Sequence, residues 1–557
     1  MSDKNAAIWF SSDGFNPKAK GINGRRMAGE SLLRGFFRNA DVPEFVCATH
    51  AGGDFDAFRA VAEEEGVTKP QRFVRLDDMG KLPPVETLLY SSPGISPELW
   101  RRSVLGATRY SICGITHTTC TKAVQQAFFD LRMAGQQEWD AVICTSRAVQ
   151  DSVLRQMDLI DDFIRARFAG PPPRRPQLPI IPLGINTADF ARDQAAGTAL
   201  RERLGVGKDD VLCVIVARLS VNEKFDPLPL FLAMSQAQSA LGQTKLHLAM
   251  CGIFAGENSK SVTQNGAKAL MPDVPLYLLD GASAEERLAT LSGGDMFLFP
   301  IDNIQETFGL APVEGMAAGL PVVATDWDGL RDTVSEDVGI LIPTQMVKGE
   351  LMTSTTQRYL GGTDNYQQYL SQISAVTRVH VGKMAQAIVT LARDPDLRAR
   401  LGAAALKRAT TRFDWAQVVP RMQNLWVELT RIRRAAKVAK HPPVPAWAVP
   451  VLPAAGHVYA SYPTEIFEPK STVWRAKVLP KAALDVKAML TLRDYGATRR
   501  MFEAPDHVAA VLTLLAERRT AGATLADLVQ ITGFPARRVE RILMWLLKYD
   551  FAEEADD

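Results

Sequence analysis

Short apolar runs alternate with longer segments of helical period through most of the chain. Ala7–Phe10, Ala141–Cys144, Val211–Val216, Leu246–Cys251, Met296–Phe299 and Val322–Thr325 are mostly four to six residues long, rich in apolar residues and often bounded by Gly, Asp or Pro, which predicts buried strands. Between them, Gly29–Phe37, Thr121–Met133, Ala148–Met157, Ala284–Leu291 and Pro312–Ala318 carry helical patterns. Strands that are hydrophobic throughout and alternate with helices imply parallel sheets covered on both faces. A single (β/α)8 barrel is the alternative. Two sheets are preferred, because Pro171–Pro176 (PPPRRP) interrupts the first half. A run that can neither extend a helix nor donate to a ladder is expected to be a linker.

A third segment begins near Lys440. HPPVPAWAVPVLPAAG is Pro-rich and reads as an extended linker. Beyond it, Val508, Val511, Leu512 and Leu515 sit at helix spacing within Asp506–Arg519. Thr524-Leu525-Ala526-Asp527 has the form of a capping box with Asp in place of Glu, so Thr524 is expected to open a second helix that Gly533 ends. Pro535 stands where a third would begin, and Val539, Ile542, Leu543, Leu546 and Leu547 form its apolar stripe. These are helix-turn-helix proportions, and the unit resembles a winged-helix domain.

Composition narrows the class. At 557 residues the chain is too long for one core, and dividing by about 150 suggests three to four domains. Hydrophobic residues at 46% and charged residues at 23% exclude a mainly disordered, collagen-like or disulfide-scaffold chain. A net charge of +2 gives no global basic field for nucleic acid or anionic membrane. The six cysteines (Cys47, Cys113, Cys120, Cys144, Cys213, Cys251) form no C-x-x-C pair and read as reduced core residues. The apolar stretch in MSDKNAAIWFSSDG is too short for a signal peptide, and no run approaches the roughly 20 apolar residues of a spanning helix. The expected location is cytoplasmic, with peripheral membrane association left open.

The chemistry concentrates in Leu291–Pro343. It holds a strand, a loop carrying Glu306, the turn Thr307-Phe308-Gly309-Leu310, a helix carrying Glu314, a Gly319-Leu320-Pro321 break and another strand. A glycine turn entering a helix offers N–H groups and the positive end of a dipole to an anion. Two carboxylates so spaced suit hydroxyl-rich groups, namely a sugar and a ribose.

The order strand, Pro300, Glu306, Phe308-Gly309-Leu310, Glu314, Gly319-Leu320-Pro321-Val322-Val323 resembles the E-x7-E signature of retaining family 4 glycosyltransferases of the GT-B fold. Thr307 and Gly315 stand where that family typically has Gly and Ala. Val214–Leu219 followed by Lys224 resembles the family's strand-end Arg and Lys, with Arg218 and Lys224 gripping the diphosphate of a nucleotide-sugar. The interval is one residue longer than usual. Ile180–Asn186 resembles the segment that crosses between the two Rossmann-like domains, where Asp is more usual than Asn186. In Tyr110–Thr119 the resemblance places His117 against the donor sugar, and in Gly21-Ile22-Asn23-Gly24-Arg25-Arg26 it assigns Gly24 to the first-strand loop. Arg400–Trp426 resembles the closing helices, the last of which returns to the N-terminal domain. The resemblance covers roughly residues 7–435.

It implies an α/β chain of two Rossmann-like parallel-sheet domains facing a cleft, plus the small helical domain. The expected bounds are 1–185, 186–410, closing helices 411–440, linker 441–470 and winged-helix-like domain 471–557. It further implies retaining transfer from a UDP- or GDP-sugar to an unidentified acceptor (glycan, lipid-linked glycan or protein), with no cofactor and no metal. The leaving diphosphate itself takes the acceptor's proton; Glu306 orients the sugar hydroxyls and Glu314 the ribose. Arg218 and Lys224 hold the diphosphate with N–H groups at Phe308, Gly309 and Leu310. Asp54-Phe55-Asp56 and Asp326-Trp327-Asp328 both read D-x-D, but neither is assigned to a metal, and Asp326–Asp328 is expected to cap a helix.

Two other classes compete. One is a regulator whose C-terminal helices bind DNA or a protein and whose sheets sense a sugar nucleotide. Yet Pro505–Asp557 holds six basic and nine acidic residues, 6 − 9 = −3, so contact with a protein or self-association is preferred over nucleic acid. The other is a GT-B epimerase or phosphorylase. Residues 345–370, rich in Gln, Thr and Gly, read as an inserted loop.

Overall fold

A strand without polar side chains is stable only where both faces are covered, and Val211–Val216 (VLCVIV) is buried at every position. In the computed structural model, which describes residues 3–15, 24–436, 443–469, 471–477, 485–493 and 502–555, it forms the inner strand of one of two separate six-stranded parallel sheets. The first comprises β1 (Ala6–Trp9), β2 (Phe45–Thr49), β3 (Gln71–Arg75), β4 (Thr87–Tyr90), β5 (Ser111–Ile115) and β6 (Ala141–Ile143), in the order β3-β2-β1-β4-β5-β6. The second comprises β7 (Val211–Val216), β8 (Leu246–Gly252), β9 (Leu276–Asp280), β10 (Met296–Phe299), β11 (Val322–Thr325) and β12 (Gly339–Ile342), in the order β12-β11-β10-β7-β8-β9. Both have the doubly wound order, with helices between successive strands, so the barrel alternative falls. In each sheet the winding reverses between the first and fourth strands, the place where such sheets bind ligands.

Pro171–Pro176 is not a free linker. Buried Arg132 donates to the Pro173 and Arg174 carbonyls (2.6 and 3.1 Å), and the chain then bridges to β6 at Gln177 and Ile180. The run is thus a strap on the first half. The passage to the second half comes at Ile181–Asn186, where Ile185 exchanges backbone hydrogen bonds with Phe413 and Trp415. Trp415 is the clamp there. Its ring lies so close to Gly35 and Gly184 that a Cβ on either would sit 2.2 or 2.5 Å from it, and its Nε1 donates to Ser31 (2.8 Å). Helix Trp415–Ala435 then runs back along the first sheet, where Arg433 pairs with Glu86.

Between β12 and helix Val381–Arg393 the chain makes an excursion. β13 (Thr344–Met346) and β14 (Thr377–Val379) pair antiparallel and close it, while helices Thr353–Leu360 and Tyr366–Ser374 fill it. Instead of a loop, residues 345–370 therefore carry regular structure.

The chain divides into Met1–Val451 and Leu452–Asp557. In the smaller unit β15 (Val473–Ala476) pairs antiparallel with β16 (Ala523–Thr524) and β17 (Ala552–Glu554). Helices Pro505–Arg518, Leu525–Thr532 and Ala536–Lys548 pack Val508, Val511, Leu515, Leu528, Val539, Ile542, Leu543 and Leu546 around Trp474. Both hydrogen bonds of the Thr524–Asp527 capping box are present, and Gly533 takes the left-handed conformation (φ 66°) that ends its helix.

Candidate functional site

The site is assembled by the loops after β7 and β10, the two strands flanking the second sheet's switch point. After β7 the loop is pinned at Leu219, paired to Ile253 and Ala255, and at Phe225, which is buried; Lys224 N–H donates to the Ser220 carbonyl (3.0 Å). Arg218 and Lys224 project from this loop. After β10 come two buried polar residues, Asp302 and Asn303. Asn303 Nδ2 donates to the Asn222 carbonyl (2.9 Å), tying the β10 loop to the β7 loop. Gly309 turns the chain into helix Leu310–Ala317 with φ 86°, and a Cβ there would meet Leu330 at 2.5 Å, so glycine is required twice over.

These restraints bring the sequence-derived residues together. Lys224 Nζ pairs with Glu306 Oε2 and lies 5.0 Å from the centre of the Phe299 ring. Glu306 Oε1 accepts from the N–H groups of Thr307 (3.3 Å) and Gly309 (3.1 Å). Burial works to raise the Glu306 carboxyl, but the Lys224 ammonium and these N–H donors outweigh it and hold the group below its ordinary value. Arg218 pairs with Glu223 and reaches Gln305 Oε1 (3.5 Å). Glu314, one turn into the helix, is pushed up to about 7 by burial, opposed by Arg287 and Lys224. Lys224 is thus within electrostatic reach of both glutamates.

Several placements differ in detail from the sequence reading. The Phe308 ring is buried edge-on to Phe413 (5.8 Å), so only its backbone faces the turn. The Gly309 N–H serves Glu306, and Leu310 is the first residue of the helix. Gly315, where alanine is usual, is explained by Phe297: a Cβ there would approach its ring to 2.8 Å. Asp54 is occupied by Ser12 and Thr49, and Asp326 by Arg331. Among the described residues no group of three His, Cys, Asp or Glu is placed to hold a metal ion.

Two assigned residues belong to the first sheet. His117 lies two residues beyond β5, and Gly24 is the first residue of helix Gly24–Asn39; Gly21–Asn23 lie outside the described residues. Beside the Glu306 turn, the first half reaches the second through Ser146 and Arg147. Ser146 Oγ donates to the Thr307 carbonyl (2.9 Å), and Arg147 N–H to Asp332 (2.6 Å).

Sequence reasoning missed Asp302, Asn303, Arg287, Ser146 and above all Asp328. Asp328 has φ 36°, unusual for a residue with a side chain, and its Oδ1 accepts from the Leu330 N–H (3.3 Å). Its other oxygen is buried with no partner, and burial followed by the nearby Glu306 charge pushes the carboxyl well up. Asp302, receiving Ser374 Oγ (2.9 Å), is pushed up to about 7 by burial. The only signals in the sequence were the D-x-D spelling and carboxylates at a strand end.

In the smaller unit, Arg538 and Arg541 both pair with Glu503 (2.9 and 3.3 Å), and Arg538 also lies over Phe534. Two arginines of helix Ala536–Lys548 thus have internal partners.

Residues 198–349, which contain Arg218, Lys224, Glu306, Glu314 and Asp328, match the family described as Glycosyl transferases group 1. Among curated proteins the chain is similar to D-inositol 3-phosphate glycosyltransferases. That of Corynebacterium efficiens is 27% identical over 240 residues, 43% of this chain and 47% of the relative. That of Geodermatophilus obscurus is 26% identical over 262 residues, 44% and 55%. The chain spans about half the length of the curated relatives it matches. Solved structures similar to it include Anabaena HepE in complex with UDP (17% identity, TM-score 0.48, 75% of this chain and 99% of that one) and the sucrose-phosphate synthase of Thermosynechococcus elongatus (17%, 0.46, 77% and 100%).

Proposed function

We propose that this protein is a retaining glycosyltransferase that moves a sugar from a nucleoside diphosphate-sugar to an acceptor. The observation that carries the reading is the convergence of Arg218, Lys224, Glu306 and Glu314 at the switch point of the second sheet, within the segment that matches the Glycosyl transferases group 1 family. An arginine fork and a lysine point charge neutralise a leaving diphosphate. Glu306, held ionised, accepts hydrogen bonds from sugar hydroxyls, and Glu314 receives the ribose. The bond from the anomeric carbon to the diphosphate oxygen breaks with its electron pair going to the diphosphate. The acceptor oxygen forms its bond on the same face, and its proton passes to the departing phosphate oxygen. No side chain of the cluster need act as nucleophile, and catalysis rests on positioning and charge stabilisation. His117 and Gly24 close the site from the first half. The name of the curated relatives makes a phosphorylated polyol an acceptor to try beside glycans.

The test is a panel of UDP- and GDP-sugars screened by thermal shift, since a ligand of the native state raises its melting point by mass action. The nucleotide-sugar that shifts it then serves as donor for Glu306→Gln, which is expected to lose at least about 10²-fold in turnover with its melting temperature preserved. Turnover near wild type overturns the assignment.

A further inference from the structure

The excursion Thr344–Val379 is absorbed neither by the sheets nor by the cluster, yet its contacts fall on the loops that build the cluster. Arg358 of the first helix forms a two-pronged pair with Asp364 of the connecting turn (2.8 and 2.6 Å), and Tyr359 stacks on Tyr369 of the second helix with ring centres 4.4 Å apart. Asn365 and Gln368 close a capping box on the second helix. The antiparallel β13–β14 pair fixes both ends. A segment so restrained can transmit position.

On the side of its own sheet its second helix makes three polar contacts with the loops after β7 and β10. Gln367 Nε2 donates to Glu223 Oε1 (2.8 Å), Ser371 Oγ to Asn222 Oδ1 (2.9 Å) and Ser374 Oγ to Asp302 Oδ2 (2.9 Å). Glu223 is the ion-pair partner of Arg218, through its other oxygen. Gln367, Glu223 and Arg218 thus form a chain in which the amide fixes the carboxylate and the carboxylate fixes the guanidinium. On the side of the first sheet, Lys122 N–H donates to Tyr359 Oη (3.1 Å) and Lys122 Nζ to the Leu360 carbonyl (2.8 Å). Cys120 Sγ meets Tyr366 Oη at 3.2 Å. Cys120 also packs with Tyr369, Leu370 and Ile373. These contacts lie three to five residues past His117.

We propose that Thr344–Val379 is a strap that sets the diphosphate-binding loop Val221–Lys224 against the first half, with Gln367 and Ser371 as positioning residues for Arg218. The inference rests on the donor-site reading above. One end of the strap governs donor binding through Glu223, and the other governs the approach of the two halves through Lys122, Tyr359 and Tyr366. The two ends therefore separate kinetically.

The experiment uses the full chain with UDP, GDP and the nucleotide-sugar that shifts the wild type. Gln367→Ala combined with Ser371→Ala is expected to raise the Kd for the nucleoside diphosphate and the donor KM about tenfold, the scale of one lost charge-assisted hydrogen bond relay, with kcat changed less than about twofold. Lys122→Ala combined with Tyr366→Phe is expected to do the reverse: nucleoside diphosphate binding is retained, while kcat for transfer falls and hydrolysis of the donor rises. A purely structural segment would lower the melting temperature in both variants without that split. If the wild type binds a nucleoside diphosphate and the Gln367/Ser371 variant binds it equally well, the strap assignment falls and the donor site stands. If the wild type binds none, the donor-site reading falls and takes the strap with it.

Discussion

The two six-stranded sheets have the same strand order, yet among the described residues their switch points are furnished differently. In the first, β1 ends on Trp9, which packs edge-on to Tyr90 at the end of β4 (4.8 Å) and to His50 (6.0 Å). In the second, β7 and β10 lead into Arg218, Lys224, Asp302 and Glu306, on two loops that Asn303 ties together. The topology supplies the place and the strand-end residues supply the chemistry. An aromatic edge offers flat apolar faces with polar rims, while a cluster of paired charges offers a diphosphate its counter-ions.

The largest effect should come from removing a charge on the second edge. Arg218→Ala is expected to lower kcat/KM for transfer by about 10²–10³-fold, the scale of one lost donor to a developing oxyanion. Because the Arg218 side chain is 37% exposed, the melting temperature should hardly move. Activity within tenfold of wild type would erase the distinction between the two edges. His117→Ala probes the first half. If His117 only touches the donor sugar from across the site, kcat/KM should fall about tenfold while the Kd for the bare nucleoside diphosphate stays constant. An equal loss in both would move His117 to the diphosphate side.

The two-sheet architecture was legible in the chain, and so was the local order of the segment that carries the candidate site. Glu306, Gly309 and Glu314 could be placed on one turn and helix because a strand, a glycine turn and a helical pattern follow one another there, and Gly309 does take the left-handed conformation at the helix start. β7 and β8 could be read because central strands are apolar throughout. β3 (QRFVR) could not: as an edge strand it exposes Arg75 and carries Gln71 and Arg72, the pattern of a loop. Asp328 was hidden for a different reason. Its importance depends on a backbone φ of 36° and on the proximity of Glu306, neither of which a D-x-D spelling conveys. Residues 345–370 were legible only as an insertion, because Gln, Ser and Thr are ordinary surface residues until their partners are known.

Gly315 sharpens the same point at smaller scale. Alanine there would crowd Phe297 at 2.8 Å. Overpacking costs about 1–3 kcal/mol, against about 1 kcal/mol that alanine gains over glycine inside a helix. The expected result of Gly315→Ala is a lower melting temperature with the donor KM unchanged. A higher one would mean that Phe297 yields and that the glycine serves the ligand instead.

The smallest effect is a proton. Glu314 has its carboxyl raised to about 7 by burial, so between its ordinary value near 4.5 and 7 the folded protein holds a proton that the unfolded chain has lost. Folding stability attributable to this group therefore falls as pH rises through that window and levels off above it. Ribose hydroxyls donating to the ionised carboxylate would lower its value in the complex, so nucleotide affinity should rise with pH up to about 7 and then flatten. At pH 6 binding should release close to one proton, about 0.9 if the bound group titrates far below that pH. Calorimetry in buffers of different ionisation enthalpy reads this release directly. Asp302 also titrates near 7, but it is held by Ser374 and the Asp226 N–H, away from the ribose position assigned to Glu314. Asp328, raised beside Glu306, is a third proton holder. Glu314→Gln should abolish the release if Glu314 meets the ligand, whereas an unchanged release would assign the proton to Asp302 or Asp328 and remove Glu314 from the ribose.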